Sequence, residues 1–488
     1  MRTPSIDWFA LAPVLALLSA AGLALFAAVL LPRGWRRPGG ALLAAAGFVT
    51  AFVLAALVFA ESGEPSLTIS DTLARDRWAA LAQLIICGSG FIAVLVSWAE
   101  RLRFDEHVGE YYALLAATAG GMAFFVQAND LMTLFLGLEW FSIGLYDLCA
   151  IAGERATSLE AGLKYLVVGG FGSAVLLFGS ALVYGATGEL QFARIGGAAA
   201  ADDPIFLTGL AMILAGLGFK ASAAPFHMWT PDVYQGAPTP VTAFMSAATK
   251  TAALVLAFRV LVTGFPEHED FWRIAIAVLA CASLAWGNLA ALVQRDVKRL
   301  LAYSSVSHAG FMLIPIAAAN ELGGKALLYY LIPYSAMSLG AFAVVAARER
   351  ELGEPVTVDS LAGFGWERPM LGVAMWIFML GFAGLPLTGG FVGKFYAFSA
   401  AFEAGWWWLV VVGVVATAIS VYYYLAVVRA MYMRSPAELS VAPAGGSPPR
   451  ELLLQTGVFL CLAVTVGSFF AVAPLIDLAE NAAAALPF

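Results

Sequence analysis

Charge is scarce in this chain. Aspartate, glutamate, lysine and arginine supply 12% of its 488 residues, against about 25% in soluble domains, which excludes an ordinary water-soluble globular fold. Cysteine is scarcer. Cys87, Cys149, Cys281 and Cys461 stand singly in apolar segments with no CxxC or ligand spacing, so they read as small core residues and exclude a disulfide scaffold, a zinc site and an iron–sulfur cluster. A GxGxxG nucleotide loop is also missing, and a net charge of −7 spread over loops leaves no nucleic-acid surface.

What is present is apolar surface in long runs. Hydrophobic residues make up 61% of the chain and the mean hydropathy is +0.85, the profile of an all-α polytopic membrane protein. About fourteen runs reach the roughly 20 residues needed to span hydrocarbon. They lie near 8–31, 39–60, 78–99, 110–127, 129–152, 161–186, 204–225, 240–262, 272–294, 297–318, 323–347, 370–400, 405–433 and 451–480. A cleaved signal peptide is the rival for the first run. That run is long and is followed by Arg33, Arg36 and Arg37 rather than a small-residue cleavage site, so it counts as a helix.

Helix parity gathers Arg33, Arg36, Arg37, Arg101, Arg103, Arg155, Arg295, Lys298, Arg299, Arg348, Arg350, Arg368, Arg434 and Arg450 on one side. Only Arg2, Arg75, Arg77, Arg194, Arg273 and Lys325 fall on the other. The positive-inside rule makes the richer side cytoplasmic and places both termini on the non-cytoplasmic side of a multi-pass membrane protein. The longest loops, near 61–77, 187–203, 348–369 and the Pro/Gly-rich 435–450, are too short for a soluble domain. Residues 1–488 therefore read as one membrane domain.

Four charges lie well inside apolar runs, away from their ends: Glu139, Lys220, Lys250 and Lys394. An ionised side chain at mid-bilayer costs at least about 2.5 to 3.5 kcal/mol on insertion scales, so such residues usually face a partner or a hydrated cavity and mark an ion or proton path. Two of the lysines sit beside helix breakers. GLGFKASAAPFHMW surrounds Lys220 and Pro225; GLPLTGGFVGKF sets Pro386, Gly389, Gly390 and Gly393 before Lys394. After an N-terminal group of three helices (1–109), units of five helices at 110–262 and 272–433 each carry the broken helix in fourth place, and a last helix follows at 451–480. An odd number of crossings inverts the second unit relative to the first, the arrangement in which transporters bind ions at broken helices near the midplane. Backbone freed by a break is tolerated in a bilayer only inside protein or beside water. The alternative for both lysines is a proline kink with a snorkelling side chain.

Several stretches carry a resemblance. NDLMTLFLGLEWFSIGLYDL, SLEAGLKYLVVGGFGSAVLLFGSALVYGATGEL, GLGFKASAAPFHMWTPDVYQGAPTPVTAFMSAATKTAAL, NLAALVQRDVKRLLAYSSVSHAGFML and GFAGLPLTGGFVGKFYAF resemble the antiporter-like membrane subunits of bacterial respiratory complex I over roughly 105–435. PDVYQGAPTPV, EAGLKY and a lysine at Lys394 resemble subunit N rather than subunits L or M or the Mrp antiporter proteins. The resemblance implies a proton-translocating subunit of an NADH:quinone oxidoreductase, set in the bacterial inner membrane beside a neighbouring antiporter-like subunit and small membrane subunits. NADH, FMN, iron–sulfur clusters and quinone would belong to the whole complex, with no cofactor or metal in this chain.

It also implies roles for individual residues. Glu139 matches the glutamate that pairs with the first broken-helix lysine, Lys220. A carboxylate beside an ammonium favours the charged form and burial opposes it, so such a pair can switch; the alternative is a static ion pair. Lys250 matches the middle lysine that accepts the proton, His308 a relay with Ser304, Ser305 and Ser307 beside it, and Lys394 the terminal site. A buried histidine that only packs is the alternative for His308. Lys164, four residues after Glu160, is either an interfacial ion pair or a modulator of Lys220. Asp130 reads as a helix cap or a functional acid, and Asp147, for which the family supplies no counterpart, as an interfacial acid or a residue lining an entry channel. Arg259 and Arg429 are expected to snorkel or to pair with interfacial groups. His227, Asp232 and Gln235 read as shaping a rigid turn. His107 and His268 receive no role. LPLTGG carries Leu387 where the family often has a second proline, which leaves the kink open. The rival functions are an Mrp-type cation/proton antiporter subunit and, in another class, a non-conducting scaffold.

Overall fold

The computed structural model describes residues 5–98, 108–198, 203–435 and 451–487. Arg2, Arg101, Arg103, His107, Arg450 and the linker over 436–450 lie outside them. The described residues form nineteen helices. The first six are α1 (Trp8–Leu30), α2 (Arg33–Glu61), α3 (Arg77–Ser97), α4 (Val108–Phe125), α5 (Leu131–Ala150) and α6 (Ala156–Thr187). Next come α7 (Phe192–Ala198), α8 (Pro204–Lys220), α9 (Trp229–Gly236), α10 (Thr239–Gly264), α11 (Glu269–Ala291), α12 (Val297–Ala318) and α13 (Glu321–Leu352). The rest are α14 (Phe364–Glu367), α15 (Pro369–Ala383), α16 (Gly389–Glu403), α17 (Trp407–Met433), α18 (Leu452–Phe470) and α19 (Val472–Ala483). Eleven are long and apolar enough to cross a bilayer, and α8 and α15 are shorter apolar helices that stop at breaks.

Charged turns extend several helices beyond the apolar runs. Arg33, Arg36 and Arg37 lie inside α2 rather than before it, and α13 runs on through Arg348, Glu349 and Arg350. Helix continues past the hydrocarbon because the backbone gains the same hydrogen bonds there and charged side chains are solvated. Acids are concentrated at helix starts. Asp7, Asp76, Asp130, Asp203 and Asp296, with Asn320, each accept from backbone N–H groups of the turn they precede, meeting donors that have no intrahelical partner. Asp130 has the geometry of a cap: its carboxylate also takes the Thr133 hydroxyl at 2.8 Å.

One element departs from an all-α reading. The loop at 61–77 contains an antiparallel hairpin, β1 (Ser66–Thr68) with β2 (Leu73–Arg75). It docks on the α4–α5 turn, where Ala74 N–H donates to Gln127 O and Asn129 N–H to Thr72 O. Backbone groups at this partly dry helix end need partners, and the hairpin supplies them.

The core is central in the bundle. α10 is buried on all sides and α12 and α13 nearly so, while α1, α2, α17 and α18 expose broad faces. Gly287 of α11 packs so closely on α12 that an added Cβ would lie 2.6 Å from the Ser307 nitrogen, the small-residue contact that lets membrane helices approach.

α3 is locked to α10 by a buried ion pair. Arg259 Nη2 donates to both Asp76 oxygens at 2.7 and 2.6 Å, and the two side chains are only 3% and 5% exposed. Arg259 therefore pairs inside the protein rather than snorkelling, whereas Arg429 is exposed. Trp78 adds a second link by donating to Val255 O at 3.0 Å. Removing one partner leaves a buried charge alone, so Asp76→Ala should cost about 3–5 kcal/mol. The fall should appear as a lower unfolding temperature of the detergent-solubilised complex, and Asp76→Leu with Arg259→Leu should recover part of it.

Candidate functional site

The break after α8 exposes a run of carbonyls in the middle of the bundle, and each finds a donor. Leu217 O and Gly218 O accept from the N–H groups of Ala221 and Ala223 at 2.9 and 2.8 Å. Phe219 O takes the Ser222 N–H and the Trp229 indole at 3.1 Å each. Ala221 O takes the ammonium of Lys250 at 3.2 Å. Ser222 adopts a left-handed φ of 61° to turn the chain, and Ala224 N–H donates to Ser283 Oγ of α11.

Lys220 is the last residue of α8 and is 1% exposed. Its Nζ donates to Ser142 Oγ at 2.6 Å, and that hydroxyl donates to Leu138 O. The ring centroids of Phe141, Tyr165, Tyr146 and Phe219 lie 5.2 to 5.9 Å away, so the amine sits in an aromatic cage that attracts a cation. Glu139, one turn from Ser142 on α5, is half-buried, and its Oε1 has no hydrogen-bond partner. Among the described contacts the two do not form an ion pair: the structure brings Lys220 to Ser142, with Glu139 within electrostatic range. Nearby, the hydroxyls of Tyr146, Tyr165 and Ser173 are also buried without a protein partner, the setting in which proteins hold internal water.

Lys250 joins two halves of the bundle. Besides Ala221 O it donates to Ser305 O of α12 at 2.6 Å. The turn before it, Met245–Thr249, is wound as a π-helix, a local widening frequent at functional sites. One turn beyond Ser305, His308 lies between two tyrosines, Nδ1 at 2.9 Å from Tyr330 Oη and Nε2 at 3.2 Å from Tyr424 Oη. Tyr424 shares a hydrogen with Ser304 at 2.5 Å, and Tyr334 donates to Ser305 Oγ at 3.1 Å.

Lys394 is the sixth residue of α16, past the second break. Its Nζ donates to Phe382 O at 3.0 Å and lies 4.2 Å from the centroid of the Phe311 ring. Gly384 makes this possible. It has φ of 75°, and a Cβ there would meet Lys394 Cδ at 2.8 Å. Leu387 also adopts a left-handed φ, of 71°, which proline cannot reach. The second break therefore follows a path that a proline at this position would forbid.

This geometry has counterparts in known proteins. Residues 128–420 match the family described as NADH:quinone oxidoreductase/Mrp antiporter, TM. NADH-quinone oxidoreductase subunit N 2 of Roseiflexus castenholzii is 39% identical over 491 residues, covering 98% of this chain and 97% of its own. Subunit N of Mycobacterium tuberculosis H37Rv is 37% identical over 534 residues and 99% of both chains. This chain belongs to the subunit N family. A chain of respiratory complex I from Thermus thermophilus has the same fold, with a TM-score of 0.79 and 33% identity over 96% of this chain and 99% of its own. A chain of the Mrp complex of Dietzia sp. reaches a TM-score of 0.86 at 21% identity, over 98% of this chain and 97% of its own, and shares the fold alone.

Other residues singled out in this N-type sequence lie away from the row of amines. Lys164 Nζ meets Glu160 at 2.7 Å and Asp232 at 2.9 Å, and Asp232 also binds Arg299 at 2.6 Å. Arg299 in turn donates to Gln235. Lys164 thus ties α6 to α9 at the surface and does not touch Lys220, although its neighbour Tyr165 is one wall of the Lys220 cage and stacks on Trp229 of α9 at 4.5 Å. Asp147 is exposed. His227 is buried, with Trp286 and Tyr303 edge-on to its ring, and His268 packs on Phe206. All four cysteines are free thiols, and no cluster of metal-ligating side chains occurs among the described residues.

Sequence reading passed over Ser142, Tyr330, Tyr334 and Tyr424, which meet the buried amines and His308. A signal existed. Ser142 is one turn from Glu139, and Tyr330 and Tyr334 are four apart, one face of a helix that is otherwise apolar there. Gly384→Ala should displace the Lys394 side chain and cost about 1–2 kcal/mol of stability, since alanine is strained at this φ and its Cβ overlaps Lys394. Thermal unfolding and a structure of the variant would test both.

Proposed function

We propose that this chain is the proton-translocating, N-type antiporter-like subunit of an NADH:quinone oxidoreductase, and that Glu139, Lys220, Lys250, His308 and Lys394 form its relay. The observation that carries this is the pair of hydrogen bonds donated by Lys250: one ammonium spans the broken α8 and the middle of α12, so the Lys220 region and the His308 region meet at one titratable group. NADH oxidation and quinone reduction belong to other subunits, which hold the cofactors.

The chemistry follows from the surroundings. An ammonium resting on the Ser142 hydroxyl within an aromatic cage can swing one turn of α5 to Glu139, whose Oε1 is without a partner. Meeting the carboxylate favours the charged lysine and parting from it favours release, so a small movement of α8 changes who holds the proton. Release toward Ala221 brings the proton to Lys250, then through Ser305 and Tyr334 to His308 and its two tyrosines. Lys394, held on carbonyls beyond them, exchanges with the opposite side. Lys164, through its ion pair to Asp232, holds α6 and α9 around Tyr165 and Trp229, and in this reading modulates Lys220 by fixing its cage.

The reading includes a bilayer-inserted chain of about fourteen crossings in the bacterial inner membrane, with the arginine-rich side cytoplasmic and both termini opposite. Its two units, 110–262 and 272–433, are inverted repeats, supported by the matching breaks after α8 and α15. Its partners are the neighbouring antiporter-like subunit and small membrane subunits. Lys220→Ala and Lys250→Ala, each in reconstituted complex, should lower the protons moved per NADH oxidised. Unchanged stoichiometry and rate in both would overturn the relay.

A further inference from the structure

Glu349 and Lys298 belong to no part of this relay, yet they are buried as deeply as its lysines, at 2% and 1% exposure. They lie at the arginine-rich ends of α13 and α12, with Glu349 Oε1 3.8 Å from Lys298 Nζ. Lys298 also donates to Ala237 O at 2.7 Å and Thr239 Oγ at 3.1 Å, and Thr239 donates to Glu349 Oε2. Charge this deep at a helix end has a structural use as a clamp. Here it has an outlet as well. Glu349 lines a cavity of about 260 Å³ together with the side chains of Glu160, Lys164, Asp232 and Gln235, and the Glu160 side chain is 62% exposed.

From the other side of the pair, hydroxyls lead inward. α10 presents Thr239, Thr242, Ser246 and Thr249 at spacings of three and four, about one per turn on one face, ending beside Lys250. α13 packs against α10 here and adds hydroxyls of its own. Ser338 donates to Ser246 Oγ at 2.6 Å, and Tyr334 donates to Ser305 Oγ, the residue whose carbonyl holds Lys250. Thr249 is 2% exposed and its hydroxyl has no partner, so it is open to a bridging water. The path from Thr239 to Lys250 is eleven residues of helix, about 16 Å.

We infer that Glu349, paired with Lys298, is the carboxylate that takes up protons from the arginine-rich face and passes them along the hydroxyl seam of α10 and α13 to Lys250. Glu349 takes a proton from hydronium in the cavity, leaving water. Each hydroxyl or bridging water then accepts one proton and yields its own, and the Lys250 amine ends as ammonium with no electron transferred. The inference rests on Lys250 acting in the relay.

The test is Glu349→Gln in the reconstituted complex, reading NADH-driven membrane potential and NADH oxidation in the same vesicles. The expected result is transport about a hundredfold slower, the lower end of the loss when a proton-transferring group is removed. Glu349→Asp should retain most of the rate. Sodium formate should partly restore Glu349→Gln, because formic acid is small enough for the cavity and carries the missing proton. Parent-like transport in Glu349→Gln, or a loss that neither aspartate nor formate relieves, overturns the inference, the second result marking a structural clamp. Should Glu349→Gln fail to assemble, Ser246→Ala with Ser338→Ala interrupts the seam without touching a charge, and an unaltered rate there overturns it equally. Lys250→Ala run in parallel separates the two claims: slow transport in it beside normal transport in Glu349→Gln rejects only the entry path, and normal transport in both rejects the relay.

Discussion

A backbone carbonyl released inside a membrane must find a donor, because hydrocarbon offers none. Lys250 is that donor for Ala221 at the end of α8, and much of the central architecture follows from it. A lysine reaches the break only if α10 runs through the centre of the bundle, buried on all sides. Its second bond, to Ser305 O, then fixes α12 against the same point. In the relay proposed for this chain, backbone satisfaction and proton transfer fall to one ammonium, and the structure shows the first of these: Lys250 holds the break to α12. Loss of the proton from Lys250 leaves two N–H groups, one for each carbonyl, but it removes the positive charge that strengthens both bonds. Occupancy of the site and the fit between α8 and α12 are coupled for that reason.

The two breaks are alike in place and unlike in construction. Lys220 is the final residue before its break and its ammonium rests on a side-chain hydroxyl inside aromatic rings. Lys394 follows its break by six residues of helix and rests on the carbonyls that end α15. Carbonyls at a helix C-terminus carry the negative end of the helix dipole, so Lys394 has a fixed electrostatic partner where Lys220 has a movable one. Gly384 and Leu387, both at positive φ, shape the second break, whereas Ser222 shapes the first. The two broken helices therefore hold their buried ammonium groups in two different ways.

Much of this was legible in the sequence because membrane helices carry their own signal in apolar length, and because lysine or glutamate inside such a run is costly enough to stand out. The broken helices were visible from glycine and proline. The partners of the buried amines were not. The spacing of Ser142 from Glu139 and of Tyr330 from Tyr334 is a faint signal, and Tyr424 leaves none; what selects these residues is the packing of α5, α12, α13 and α17. Ion pairs between helices far apart in the chain were equally silent: Arg259 read as snorkelling or pairing with an interfacial group, and nothing in the sequence pointed to Asp76, 183 residues away, as its partner inside the protein. The π-turn before Lys250 left no trace in composition, since Met245–Thr249 is an ordinary run of helix-compatible residues.

The Asp76–Arg259 pair also bears on how the protein is made. Its two members are 183 residues apart, so α3 enters the membrane long before the guanidinium that completes it exists. Until α10 arrives, the Asp76 carboxylate is held by its own helix, through the Ala79 N–H that it caps. The cap is what allows an acid destined for the interior to wait at the membrane surface. When α10 inserts, Arg259 finds a carboxylate already oriented by that cap, and Trp78, two residues on, reaches Val255. The start of α3 is in this sense a template against which the central helix, and with it Lys250, is registered.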